Sequence, residues 1–161
     1  MSASRKGDRR PKRRWTDDEP DSPRLWVSLA RCQAIYAKAI AARVQTYGLT
    51  VPQFGVLEAL YHLGPRSLGE LADRLLVTGA NVTYVMSRLE ARGLAYRDRQ
   101  TEDRRVIFAR LTPEGRDLVS GVFPGHASYV EHLSRHLSDE EQKTLSGLLR
   151  KLGMGIQLED L

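Results

Sequence analysis

The chain has 161 residues, 41% of them apolar and 28% charged, with a net charge of +5. That fits one soluble domain with a hydrophobic core; a single cysteine, Cys32, excludes an intrachain disulfide, and no stretch approaches the ~20 apolar residues of a membrane span. The N-terminus lacks the apolar core of a signal peptide, a lone thiol suits a reducing compartment and the positive excess suits a polyanionic partner, so a cytoplasmic protein is expected.

Residues 1 to 21 carry a basic block, from Arg5 to Arg14, then an acidic one, Asp17 to Asp21. So little apolar surface cannot offset the entropy of ordering, and a disordered charged arm is expected. Ser22-Pro23 is a helix start, and Leu25, Leu29, Cys32, Tyr36 and Ile40 then keep helical spacing to about Thr46. A small domain cannot cover so long an apolar face, which points to a second subunit. Thr50 caps a second helix, about Val51 to Leu63, apolar on more than one side and therefore central; Gly64-Pro65 ends it.

Ser67 with Glu70 has capping-box spacing, and Leu68, Leu71, Ala72 and Leu75 form the stripe of a short helix. After Leu76-Val77, Thr78 caps another, with Val82, Val85, Met86 and Leu89 inward and Gly93 past its end. Two short helices joined this tightly form a helix-turn-helix, the second entering a DNA major groove. Ala80, Thr83, Tyr84, Ser87 and Arg88 then face out, with Asn81 at the border, and the N–H groups of Thr78, Gly79 and Ala80 suit a phosphate. A solvated helix face would look the same. The next segment of the chain favours the DNA-facing reading: Leu94 to Arg99 and Arg105 to Leu111 read as strands joined by a charged tip, a β-hairpin wing. Arg97, Arg99, Arg104, Arg105 and Arg110 crowd it, which suits insertion into a minor groove more than an exposed salt-bridged hairpin.

Thr112-Pro113 starts a further helix through Leu118, Val119, Val122 and Phe123, in which Pro124 predicts a kink or break before Val130 and Leu133. Ser138 with Glu141 opens a last helix through Leu145, Leu148, Leu149 and Leu152, with Gly153 and Gly155 as its end. The expected fold is mainly α with a small β-hairpin wing (α+β). Residues 22–161 form one domain, with 22–49 and 113–155 as dimerisation helices around a winged helix-turn-helix at 50–112.

Several motifs in order carry a resemblance: GLT-x-PQF at Gly48 to Phe54, the helix pair, Asp103-x-Arg105, and Leu111-Thr112-Pro113-x-Gly115. From about Ser22 to Leu152 the chain resembles the MarR family of winged-helix regulators; Gly55 to Glu58 and Phe123-Pro124-x-His126 resemble most its hydroquinone-responsive, MhqR-like branch. The resemblance implies a homodimer on a pseudo-palindromic double-stranded operator, with Arg105 in the minor groove beside Arg104, and Asp103 holding Arg105 in place. Ser67 and the face from Thr78 to Arg88 (Gly79, Ala80, Asn81, Thr83, Tyr84) would contact DNA. It also implies a small aromatic effector, phenolic or quinone, between the dimerisation helices and the winged helix, for which Trp26, Tyr36, Tyr61, His62 and His126 are the candidates.

Some relatives sense peroxide through a first-helix cysteine. That position is Trp26 here, and Cys32 lies nearly two turns on, so a buried structural thiol is expected, with redox sensing through Cys32 the alternative. His132 and His136 have zinc spacing but no third ligand motif, so no metal or other cofactor is expected. No nucleophile–base pair or phosphate loop appears, which argues against an enzyme. A repressor of nearby genes that releases DNA on binding its effector fits best; a winged helix used for protein–protein contact is the other alternative.

Overall fold

The computed structural model describes residues 21–99 and 106–159, with side chains to residue 157. The charged arm at 1–20 and the wing tip carrying Asp103, Arg104 and Arg105 lie outside the described residues. The chain divides into two units at Ala37. A long helix, α1 (Asp21–Gln45), crosses that division. Over its 25 residues α1 buries only Val44, while Leu25, Trp26 and Ile35 are exposed.

In the second unit, α2 (Val51–Leu63) is central, as its all-round apolar sequence requires. Phe54, Val56, Leu57, Ala59 and Leu60 are all buried. Its start is a full capping box: Thr50 Oγ1 accepts from the Gln53 N–H and Gln53 Oε1 accepts from the Thr50 N–H. Around it pack α3 (Leu68–Leu75), α4 (Gly79–Glu90), a small sheet and α5 (Pro113–Ser134). The core is one cluster in which Leu57, Leu60, Leu71, Met86, Leu89 and Val119 are fully buried.

Among the described residues the sheet has three antiparallel strands, where the hairpin alone predicts two. Between β2 (Ala95–Asp98) and β1 (Arg66–Ser67) lies β3 (Phe108–Leu111), with Arg97 opposite Ala109 and Ser67 opposite Phe108. Two residues have no alternation to read, and Ser67 also serves as the α3 cap, so β1 leaves no mark in the sequence. The sheet is anchored to α5 at Gly115. A Cβ there would stand 1.9 Å from the Leu94 carbonyl oxygen, so the close approach needs glycine. Thr112 completes the joint, accepting from the Gly115 N–H at 3.0 Å and donating its hydroxyl to the Gly93 carbonyl at 2.7 Å.

Two expectations about helix ends are corrected. α5 runs unbroken through Pro124. The carbonyl four residues back belongs to Ser120, which is exposed, so the lost donor leaves no buried acceptor stranded, and Val119 before and His126 after are both buried and anchor the helix on either side. The last helix, α6 (Asp139–Glu159), continues through Gly153 and Gly155. A helical glycine costs only ~1 kcal/mol, and no proline or positive-φ residue stops it among the described residues.

Candidate nucleic-acid interface

The helix pair turns at Leu76, whose φ of 52° puts a non-glycine residue in the left-handed region. Its N–H closes α3 on the Ala72 and Asp73 carbonyls, and Val77 N–H bonds Ala72 O. The turn therefore has no free choice of direction, and α4 leaves it at a fixed angle. Thr78 caps α4 by accepting from the Asn81 N–H at 3.2 Å.

The two faces of α4 divide as its spacing dictates. Val82, Val85, Met86 and Leu89 are buried; Gly79, Ala80, Asn81, Thr83, Tyr84, Ser87 and Arg88 are exposed. On the outer face the Arg88 Nε donates to the Tyr84 hydroxyl at 3.2 Å, and its guanidinium carbon sits 5.2 Å from that ring's centroid. Tyr84 thus holds the cation against its ring on the exposed face. Ser67 stands at the N-cap of α3 with its hydroxyl engaged by Glu70, accepting from the N–H and donating to the carboxylate. The Ser67 backbone N–H, and after it the Ser67 hydroxyl, donate to the Glu70 carboxylate and lower its pKa from the ordinary value.

Not all of the wing's arginines are available to a partner. Arg110 Nε pairs with Asp98 at 2.7 Å across the strands, and Arg97 pairs with Glu90 of α4 at 2.5 Å. Counting arginines along the sequence assigns both to the groove-binding cluster and overlooks their acids. The period-two alternation of β2 contains the signal: Ala95 and Arg97 share the side facing the core, so Arg97 cannot also point away from α4.

The effector candidates separate into two places. Tyr61 and His62 of α2 meet Phe123 of α5, with His62 and Phe123 centroids 4.4 Å apart. One turn on, the His126 ring lies tilted against Phe54 at 4.5 Å and edge-on to Tyr47 at 6.1 Å between centroids. Phe123 and His126 also line a cleft of about 380 Å³ with Glu58, Glu131, Ser134 and Gln142. The acids and Phe123 were not among the sequence candidates, because nothing in the spacing says which residues of three helices converge. His126 is 7% exposed, and among the described residues its Nδ1 has no hydrogen-bond partner. Burial lowers its pKa; Glu58 opposes the shift and Arg43 adds to it. Trp26 and Tyr36 belong to the first unit, Trp26 exposed and Tyr36 half-buried.

Cys32 is exposed, which corrects the expectation of a buried thiol. Its helical spacing marks an apolar stripe, but no described residue covers that stripe at this point. His132 lies beside Arg135 and His136 is exposed. Among the described residues no three His, Cys, Asp or Glu side chains gather as a metal site, and no helix is long and apolar enough to cross a membrane.

Comparison with known proteins supplies the context for this geometry. Residues 47–106 match the model described as MarR family. The transcriptional regulator MhqR of Bacillus subtilis (strain 168) is 32% identical over 133 residues, spanning 83% of this chain and 92% of that protein. Among solved structures, BpsR of Bordetella bronchiseptica, whose DNA binding is regulated by 6-hydroxynicotinic acid, is 30% identical with a TM-score of 0.69, covering 81% of this chain and 98% of that one. Sco3205 of Streptomyces coelicolor, a MarR family regulator solved in complex with DNA, is 25% identical with a TM-score of 0.80, covering 92% and 94%. These relatives are transcriptional regulators, not enzymes.

Proposed function

The chain belongs to the MarR family of DNA-binding transcriptional regulators, and from that premise we propose that it is a homodimeric repressor that leaves its operator on binding a small aromatic effector, phenolic or quinone. The observation that carries the DNA half is the outer face of α4, where hydrogen-bonding residues surround one exposed arginine held by Tyr84, above a buried stripe. In this reading Thr78, Asn81, Thr83, Tyr84 and Arg88 work in the major groove. Gly79 and Ala80 present backbone N–H groups to a phosphate beside Ser67. Arg105, held in place by Asp103, enters the minor groove beside Arg104. Residues 22–49 and 113–155 join two copies, which puts half-sites about one helical turn, ~34–36 Å, apart.

The effector half rests on the cleft between α2, α5 and α6, beside the aromatic clusters that contain Tyr61, His62 and His126, and on the ligand-regulated DNA binding of BpsR. Trp26 and Tyr36, in the first unit, are candidates in their own right. A ligand favouring the arrangement with the wrong spacing between recognition helices lowers operator affinity by population shift. The test is enrichment of random-sequence duplexes on the purified protein, then release of the enriched duplex by hydroquinones, phenols and aromatic acids. A single enriched palindrome released by one class supports the reading; no enrichment over random DNA sinks it.

A second reading, release through oxidation of Cys32, is favoured by that thiol's exposure in the single chain, on the helix proposed to meet a second copy. It requires that Cys32→Ser abolish an oxidant response that the unsubstituted protein shows.

A further inference from the structure

Arg97 occupies an odd place for an exposed wing's cation. Strand alternation puts it on the inward side of β2 beside Ala95, itself 2% exposed, and opposite Ala109, which is fully buried and leaves room for a guanidinium. From there it meets α4 along two turns. Its Nη1 donates to Glu90 Oε2 at 2.5 Å, and its Nη2 donates to the Thr83 carbonyl at 2.7 Å and to Ser87 Oγ at 3.0 Å. Glu90 answers with its other oxygen, accepting the Arg97 backbone N–H at 2.8 Å. β2 is an edge strand, so this carboxylate takes the place of a missing strand neighbour. Thr83, Ser87 and Glu90 stand at i, i+4 and i+7, a line about 10 Å long at the border between the buried and outer faces of α4.

We propose that Arg97 is the positioning residue that fixes the β2–β3 hairpin against the recognition helix, so that hairpin and helix meet neighbouring grooves in register. A planar fork bound to three acceptors along a helix resists both sliding and rotation, which a single ion pair does not. The consequence is specific. If the hairpin turns relative to α4, base contacts and groove insertion cannot both be made, whereas loose contacts to phosphates survive. Operator affinity falls and random-duplex affinity does not.

The inference rests on the DNA-binding reading only for that consequence, so its test has one arm without DNA. Arg97→Lys keeps the charge beside Glu90 but cannot span the three acceptors. Hydrogen exchange of the Arg97 and Asp98 amides in the free protein should accelerate with little change in Tm. Affinity for the enriched duplex should fall about tenfold, the loss typical of one mismatched base pair, with random-duplex affinity within about twofold. Glu90→Gln separates positioning from charge. Removing an anion near DNA tightens binding to any duplex if electrostatics alone act, but weakens binding to the enriched duplex if Glu90 holds Arg97. Unchanged exchange, full operator affinity in Arg97→Lys, or tighter binding by Glu90→Gln overturns the proposal. Should the unsubstituted protein enrich no sequence, the operator reading falls and the exchange arm alone decides the clamp.

Discussion

His126 shows how a single side chain can set a pH dependence. Its ring is buried against Phe54 with an Nδ1 that finds no partner among the described residues, so the neutral form is favoured in the fold, and its pKa lies below the ordinary value of about 6.5. A lowered histidine contributes stability that is full above the unfolded value and is lost as pH falls through 6.5 and then the folded pKa. Tm should therefore drop between pH 7.5 and 5.5, and His126→Phe, which suits the aromatic surroundings, should flatten that drop; equal slopes in a differential scan would remove the role. Gly115 makes a plainer case. The Cβ of Gly115→Ala would collide with the Leu94 carbonyl, so urea unfolding should show a loss of about 3 kcal/mol or more. On the outer face, Tyr84→Phe removes the hydroxyl that accepts from Arg88. It should change which sequences are enriched more than it changes affinity for random duplex. Arg105→Ala should lower affinity and reduce the salt slope by about one; the same slope at several salt concentrations would refute that contact.

Among the elements, α4 is where sequence and structure agree most closely. A 3.6-residue period divides it into a stripe that must be buried and a face that cannot be, and the Thr78 cap fixes where it begins. Thr78→Ala should cost about 1 kcal/mol by denaturant titration. The hairpin was legible as strands but not as a network, since Arg97 and Arg110 find their acids through strand register and helix packing. α5 and α6 show the opposite failure. Pro124, Gly153 and Gly155 are reliable local signals of a helix end, yet both helices continue: buried Val119 and His126 pack the turns on either side of Pro124, and in α6 a helical glycine costs only ~1 kcal/mol, too little to end a helix by itself.

For the molecule as a whole, the telling feature is apolar surface left uncovered. Leu145, Leu148, Leu149, Leu152 and Ile156 recur at helical spacing on α6 and are all exposed, a stripe that a second copy would cover. Leu148→Asp combined with Leu152→Asp should yield a folded monomer by sedimentation, with operator affinity lost and random-duplex binding weakened less. The sequence by itself determined the order of helices, the caps, the buried stripe of the recognition helix and the family motifs. Each of these is written in residues a few positions apart, where backbone geometry converts spacing directly into direction. Only the tertiary structure decided that Arg97 belongs to α4, that β1 completes the sheet, that Cys32 is exposed, and that Phe123, His126 and Glu58 share a cleft. These depend on which surfaces meet across long stretches of chain, and no local period records that.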